Sequence, residues 1–215
     1  MQQLEKFSTV FAVAGIGCFA LSWVLEGWLP IHHLSKIPVQ TLEEIAPKPI
    51  PAWEDLARRY PESFTEHYGE PTTESFHKAL RVARDSYIGE GCWHCHSQFV
   101  RPVSNEDVRF GPVATAAEYQ NEMQLPQLLG TRRVGPDLSR SWNKHSVDWH
   151  VAHFYEPTAV VPTSVMPRYR WFFDDNDDPN ERGLAMVAYV MWLGSWTEDW
   201  HEKGELLVKA GGGSR

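Results

Sequence analysis

No other five residues constrain this chain as strongly as Cys92-Trp93-His94-Cys95-His96. Two thiols separated by two residues can each form a thioether with a haem vinyl group, and the histidine that follows at once is placed to ligate the iron. A thioredoxin-like dithiol needs no such histidine and opens a helix after a strand, whereas here a helical pattern precedes the motif. A zinc site needs further ligands grouped nearby, and the third cysteine, Cys18, stands alone in an apolar run. The residues predict one covalent haem c on Cys92 and Cys95, with His96 as an axial ligand. The ten tryptophans suit the edges of such a flat aromatic cofactor and membrane interfaces equally well. A net charge of −8 argues against a nucleic-acid partner, which requires clustered Lys and Arg.

A haem that transfers electrons takes a second axial ligand, and a methionine thioether raises its potential relative to histidine. Met166 is the expected ligand, because the prolines around Val160-Val161-Pro162-Thr163-Ser164-Val165-Met166-Pro167 restrict its backbone. Met186 and Met191 fall on a helical pattern and read as core filler, and Met123 reads as part of a polar loop. His145, His150 and His153 offer the rival, bis-histidine ligation, although a helix from Ser146 to Tyr155 would carry them on its polar face. His94 is expected to point away from the iron. In Gly135-Pro136-Asp137-Leu138 the Pro136 carbonyl is expected to accept the free ring N–H of His96. Arg132 and Arg133 could pair with the haem propionates, or stand as exposed arginines with no such role. Asp174-Asp175-Asn176-Asp177-Asp178 begins like a calcium loop, but Pro179 and Ala185 stand where glycine and glutamate belong, so a solvated turn is predicted.

From Phe7 to Leu25 the sequence is uncharged, and at about 1.5 Å per residue it matches a bilayer core. It is too long for the apolar part of a secretory signal, and no small-x-small site lies beyond it. Residues 1–30 are therefore read as one transmembrane anchor. Pro30, Pro38, Pro47, Pro49 and Pro51 make 31–74 a Pro-rich tether with an irregular helical segment, Trp53 to Tyr68, broken at Pro61. The haem domain is expected over 75–205. Within it one helix is capped by Ser75 and runs through Phe76, Leu80, Ala83 and Tyr87. Another opens at the capping box Asp178-Pro179-Asn180-Glu181, with proline at the first helical position, and ends at Gly194. Strand patterns are scarce. Residues 206–215 read as a flexible tail.

Several strings, in order, resemble the monohaem subunit of cbb3-type cytochrome c oxidases. They are Tyr87-Ile88-Gly89-Glu90-Gly91-Cys92-Trp93-His94-Cys95-His96-Ser97-Gln98 with Val100-Arg101-Pro102, then Arg133-Val134-Gly135-Pro136-Asp137-Leu138-Ser139-Arg140. Asp148-Trp149-His150, Val160-Val161-Pro162 and Ser164-Val165-Met166-Pro167-Arg168-Tyr169 follow. The resemblance implies a mainly α protein, a single N-terminal transmembrane helix plus a class I cytochrome c-like helical domain with long loops. It also implies a single-pass protein of the bacterial inner membrane with its haem domain on the periplasmic side. Such a subunit takes electrons from a dihaem c-type cytochrome subunit and passes them to a haem-copper catalytic subunit, without itself reducing oxygen. Pro47 to Glu74 and the Trp93-His94 pair depart from the family's pattern. The small cytochrome c subunit of nitric oxide reductases has the same plan, and a freestanding membrane-tethered electron shuttle is the other alternative.

Overall fold

The computed structural model describes residues 2–142 and 144–197, which divide into two units, one ending at Val39 and one beginning at Gln40. In the first, α1 (Gln2–Ser22) passes through a π-helical turn, Trp23–Trp28, into α2 (Leu29–Leu34). The Leu29 N–H donates to the Val24 carbonyl, five residues back. Pro30 follows immediately; it lacks an N–H and crowds the carbonyl four residues before it, a conflict that a widened turn relieves. The helix therefore continues past Pro30, where the sequence reading ends the anchor. From Phe7 to Leu34 it is long and apolar enough to cross a membrane, and Phe11, Ile16 and Phe19 are among its exposed side chains. Apolar residues on every side suit a helix whose solvent is lipid.

The second unit holds α3 (Leu42–Ile45), α4 (Pro51–Arg59), α5 (Pro61–Tyr68), α6 (Thr73–Gly89), α7 (Cys92–Cys95), α8 (Glu106–Phe110), α9 (Ala116–Tyr119), α10 (Val147–Tyr155), α11 (Pro157–Val160) and α12 (Glu181–Trp192). Among the described residues there is no strand, only isolated bridges joining Gln40 to Asn121 and Phe173 to Pro179. The protein is mainly α.

Its core is the packing of α6 along α12. Phe76, Leu80, Ala83 and Tyr87 recur at helical spacing on α6 and are fully buried, as are Leu184, Val187 and Ala188 on α12. The Tyr87 and Tyr189 rings meet at 5.8 Å. The cap of α6 is Thr72, whose side chain accepts the Ser75 N–H, rather than Ser75 itself. The Ser75 hydroxyl instead accepts from Trp53 Nε1 at 3.3 Å and donates to the Glu70 carbonyl at 2.6 Å. Asn180 caps α12, accepting from the N–H groups of Arg182 and Gly183 at 3.1 and 3.2 Å, so Pro179 precedes the cap instead of occupying the first turn.

Residues 40–68, read from sequence as tether and irregular helix, pack into this same core. Leu42, Ile45, Ile50, Trp53, Leu56 and Phe64 are all buried there. Trp53 lies among Phe64 at 4.6 Å, Tyr68 at 5.0 Å and Phe76 at 5.8 Å. The physical reason is positional: Pro51 and Pro61 each open a helix, where a missing N–H costs nothing and the fixed φ helps. Met123 also departs from its expectation, being 3% exposed in the core while its carbonyl accepts from Arg84 Nε at 2.9 Å. Met186 and Met191 are core residues. In the acidic run, the Asp174 carboxylate accepts the N–H groups of Asn176 and Asp178, a self-contained turn. The tail at 206–215 lies outside the described residues.

Candidate haem site

At the end of α6, Gly91 takes a left-handed φ of 70°, a conformation that costs glycine least, and turns the chain into α7. That single turn carries both Cys92 and Cys95, and the His96 N–H closes it on the Cys92 carbonyl at 2.8 Å. All three cysteines are free. Burial pushes the Cys92 thiol up to about 11, the opposite of the lowered value that a redox dithiol uses. The Tyr169 hydroxyl faces this thiol and acts against that rise.

His96 Nδ1 lies 2.9 Å from the Pro136 carbonyl oxygen. A carbonyl only accepts, so Nδ1 carries the proton and Nε2 keeps its lone pair. Burial lowers the His96 pKa, against the opposing pull of the Pro136 bond and the Asp137 charge. Gly135 is what lets the backbone pass the ring, since a β-carbon there would lie 2.2 Å from Cε1 and 2.6 Å from each ring nitrogen.

The Pro136 loop is itself clamped. One oxygen of the buried Asp137 carboxylate accepts from Ser97 Oγ at 2.8 Å, the Phe99 N–H at 2.9 Å and Arg133 Nη1 at 2.8 Å. Its other oxygen accepts the Ser139 N–H at 2.9 Å and the Ser139 hydroxyl. Arg133 also donates from Nε to Glu106 at 2.8 Å and from Nη2 to the Phe99 carbonyl at 2.6 Å and to Glu106. Its guanidinium, a candidate for a propionate, is thus occupied in holding the segment after His96 to the segment carrying Pro136. Glu106, 1% exposed, takes Arg101 as well. Burial works to raise its carboxyl, but the bonds from Arg133 and Arg101 prevail and hold it down to about 2. Arg132 is exposed, with its backbone N–H on the His94 carbonyl at 3.2 Å. His94 stacks on Trp93 at 3.8 Å and reaches Thr131 Oγ1 at 3.2 Å.

Met166 is half-buried against the core, in a loop tied to α10 by the Tyr169 N–H on the Phe154 carbonyl at 2.9 Å and by Arg168 on Glu156 at 2.7 Å. Tyr169, whose hydroxyl faces Cys92, belongs to the same loop. His145, just ahead of α10, stacks near-parallel with Trp149 on that helix, which stacks in turn on His153, with centroid separations of 3.7 and 4.6 Å. The reading of these histidines as a polar face is corrected for His150, which is 6% exposed because it lies between Val147 and Phe154 on the buried face. His150 Nε2 and His153 Nδ1 are buried without a hydrogen-bond partner.

This donor set fits a haem: two free thiols, an imidazole with its Nε2 lone pair unused, a thioether on a loop tied to α10, and two buried ring nitrogens without partners in the protein. The family model of the cytochrome c oxidase mono-haem subunit, FixO, matches residues 70–204. The chain belongs to the FixO family. No curated protein matches it. A FixO chain is one subunit of a cytochrome c oxidase, an oxidoreductase complex of the cbb3 type, and a mono-haem cytochrome of electron transport. The apolar helix supplies its membrane anchor. The FixO match begins at residue 70, so α3, α4 and α5, with Trp53, lie outside it and yet contribute to the core.

Proposed function

We propose that this subunit carries one covalent haem c on Cys92 and Cys95, with His96 and Met166 as axial ligands, and relays single electrons within the oxidase. The donor is a dihaem c-type cytochrome subunit and the acceptor the haem-copper catalytic subunit. The haem-bearing unit stands on the periplasmic side, where c-type haems are attached. When bound, the haem supplies a one-electron iron couple. Cys92 and Cys95 hold it, and the Pro136 carbonyl fixes the tautomer and orientation of His96. Met166, a soft thioether, favours the reduced state. With both axial positions filled by the protein, the subunit relays electrons and leaves oxygen reduction to the catalytic subunit.

The observation that carries this reading is the His96 imidazole, one residue after two free cysteines, with Nδ1 committed to Pro136 and Nε2 left for iron. The test is Met166→Ala in the purified oxidase. Haem should remain attached through denaturation while the potential of this centre falls and oxygen consumption slows. An unchanged visible spectrum and potential would reject Met166 as a ligand. Isolation of the chain free of any polytopic haem-copper subunit would reject the relay.

A further inference from the structure

The turn α7 has only four residues, and a helix that short leaves its last carbonyls without partners of its own. His96 follows it with φ −115° and ψ 81°, outside the helical region, so no continuing helix holds its carbonyl. A side chain from α6 does. The Tyr87 hydroxyl, nine positions back, donates to the His96 carbonyl oxygen. Tyr87 is fully buried where α6 packs on α12, with the Tyr189 ring 5.8 Å away, and close packing keeps such a phenol in one place. The chain leaving His96 is tied to α12 as well, because the buried Gln98 donates from Nε2 to the Tyr189 hydroxyl at 3.0 Å and accepts from Gln124 Nε2 at 2.6 Å. His96 is therefore held at three points: its N–H on the Cys92 carbonyl at 2.8 Å, its own carbonyl by Tyr87, and ring Nδ1 on Pro136 at 2.9 Å. With the Pro136 bond alone the ring could pivot about Nδ1. Fixing the backbone at the other end removes the pivot and gives Nε2 one direction.

We propose that Tyr87 is a positioning residue for the iron site: through the His96 carbonyl it fixes the plane in which the imidazole meets the haem. This rests on the reading of His96 as an axial ligand, and Tyr87 acts only through that residue. Groups behind a metal-bound histidine orient its ring, and here one such group grips the backbone while Pro136 grips the ring. The angle of the imidazole is thereby tied to the buried α6 and α12 pair, a firmer support than a loop by itself. In a low-spin ferric haem the imidazole plane directs the unpaired electron over the porphyrin, so the angle is read in the hyperfine shifts of the haem methyl groups and in the g values.

The test uses the full chain, purified in detergent with its haem and oxidised, and reads proton nuclear magnetic resonance of the haem methyls together with electron paramagnetic resonance. Tyr87→Phe removes the hydroxyl and keeps the ring; Tyr87→Leu serves where that variant is unsettled. The control is Ser63→Ala on α5, which loses a bond of the same kind, a buried hydroxyl donated to the Pro179 carbonyl at 2.6 Å. All should keep one attached, low-spin haem. Tyr87→Phe should change the spread of the methyl shifts by several parts per million and move the largest g value, whereas Ser63→Ala should leave both at the parent values, even where urea unfolding shows an equal loss of stability. Parent-like shifts and g values in Tyr87→Phe, or the same change in Ser63→Ala, would overturn the proposal. Failure of the underlying reading looks different, because the parent protein itself would then lack the signature of a histidine-ligated low-spin haem.

Discussion

The Pro136 carbonyl oxygen stands 2.9 Å from His96 Nδ1, although the two residues are 40 positions apart in the chain. Asp137, the next residue, explains how that contact persists. Its carboxylate gathers Ser97, Phe99, Arg133 and Ser139, bracketing His96 and Pro136 from the positions that follow each of them. The hydrogen bond orients the ring and the clamp fixes the hydrogen bond, so the direction of Nε2 is set by backbone and buried charge.

Gly135→Ala tests how tightly the loop fits the ring. A methyl at this position would sit 2.2 to 2.6 Å from three His96 ring atoms, so the imidazole or the loop must move. Mature protein carrying haem should fall several-fold, and the haem that is attached should show a shifted potential. Potentiometry and haem staining of equal amounts of protein check this, and parent-like values in both would show that the ring has room.

Trp53→Ala tests whether α4 belongs to the core. Trp53 is fully buried among three aromatic rings, and truncating such a residue costs about 3–5 kcal/mol. Denaturant unfolding of the full chain should show a loss of that order. No loss would return residues 40–68 to the status of a tether.

Acid should weaken the clamp through Glu106. Its carboxyl lies at about 2 in the folded protein against an ordinary 4.5, so the folded state binds fewer protons than the unfolded one in this range. Its contribution is complete above about 4.5 and declines as pH falls towards about 2. The stability difference between the parent and Glu106→Gln, measured by urea unfolding, should be largest at neutral pH and shrink at about pH 3. A difference independent of pH would mean that the carboxylate charge contributes nothing.

Much of this arrangement is legible in the sequence, and the rest is hidden for definable reasons. Helical spacing reveals α6, α10 and α12, and the Gly135-Pro136-Asp137 string suggests the carbonyl that reaches His96. Pro51 and Pro61 mislead because proline both breaks helices and starts them, and only burial of Trp53 and Phe64 separates the two uses. Arg133 misleads because its partner Glu106 lies 27 residues away in a stretch with no pattern of its own. His150 misleads because a polar residue on a short helix reads as exposed until the neighbours that enclose it are known. A hint was present in its spacing: Val147, His150 and Phe154 lie on one face.

The central claim, a porphyrin joined to the chain through two thioethers, is tested most directly by intact mass measurement of the denatured polypeptide purified from its native membrane. The account predicts the mass of the chain plus one haem, lost on substitution of both Cys92 and Cys95 by Ser. A mass equal to the bare polypeptide, from protein that is otherwise folded and assembled, would contradict it.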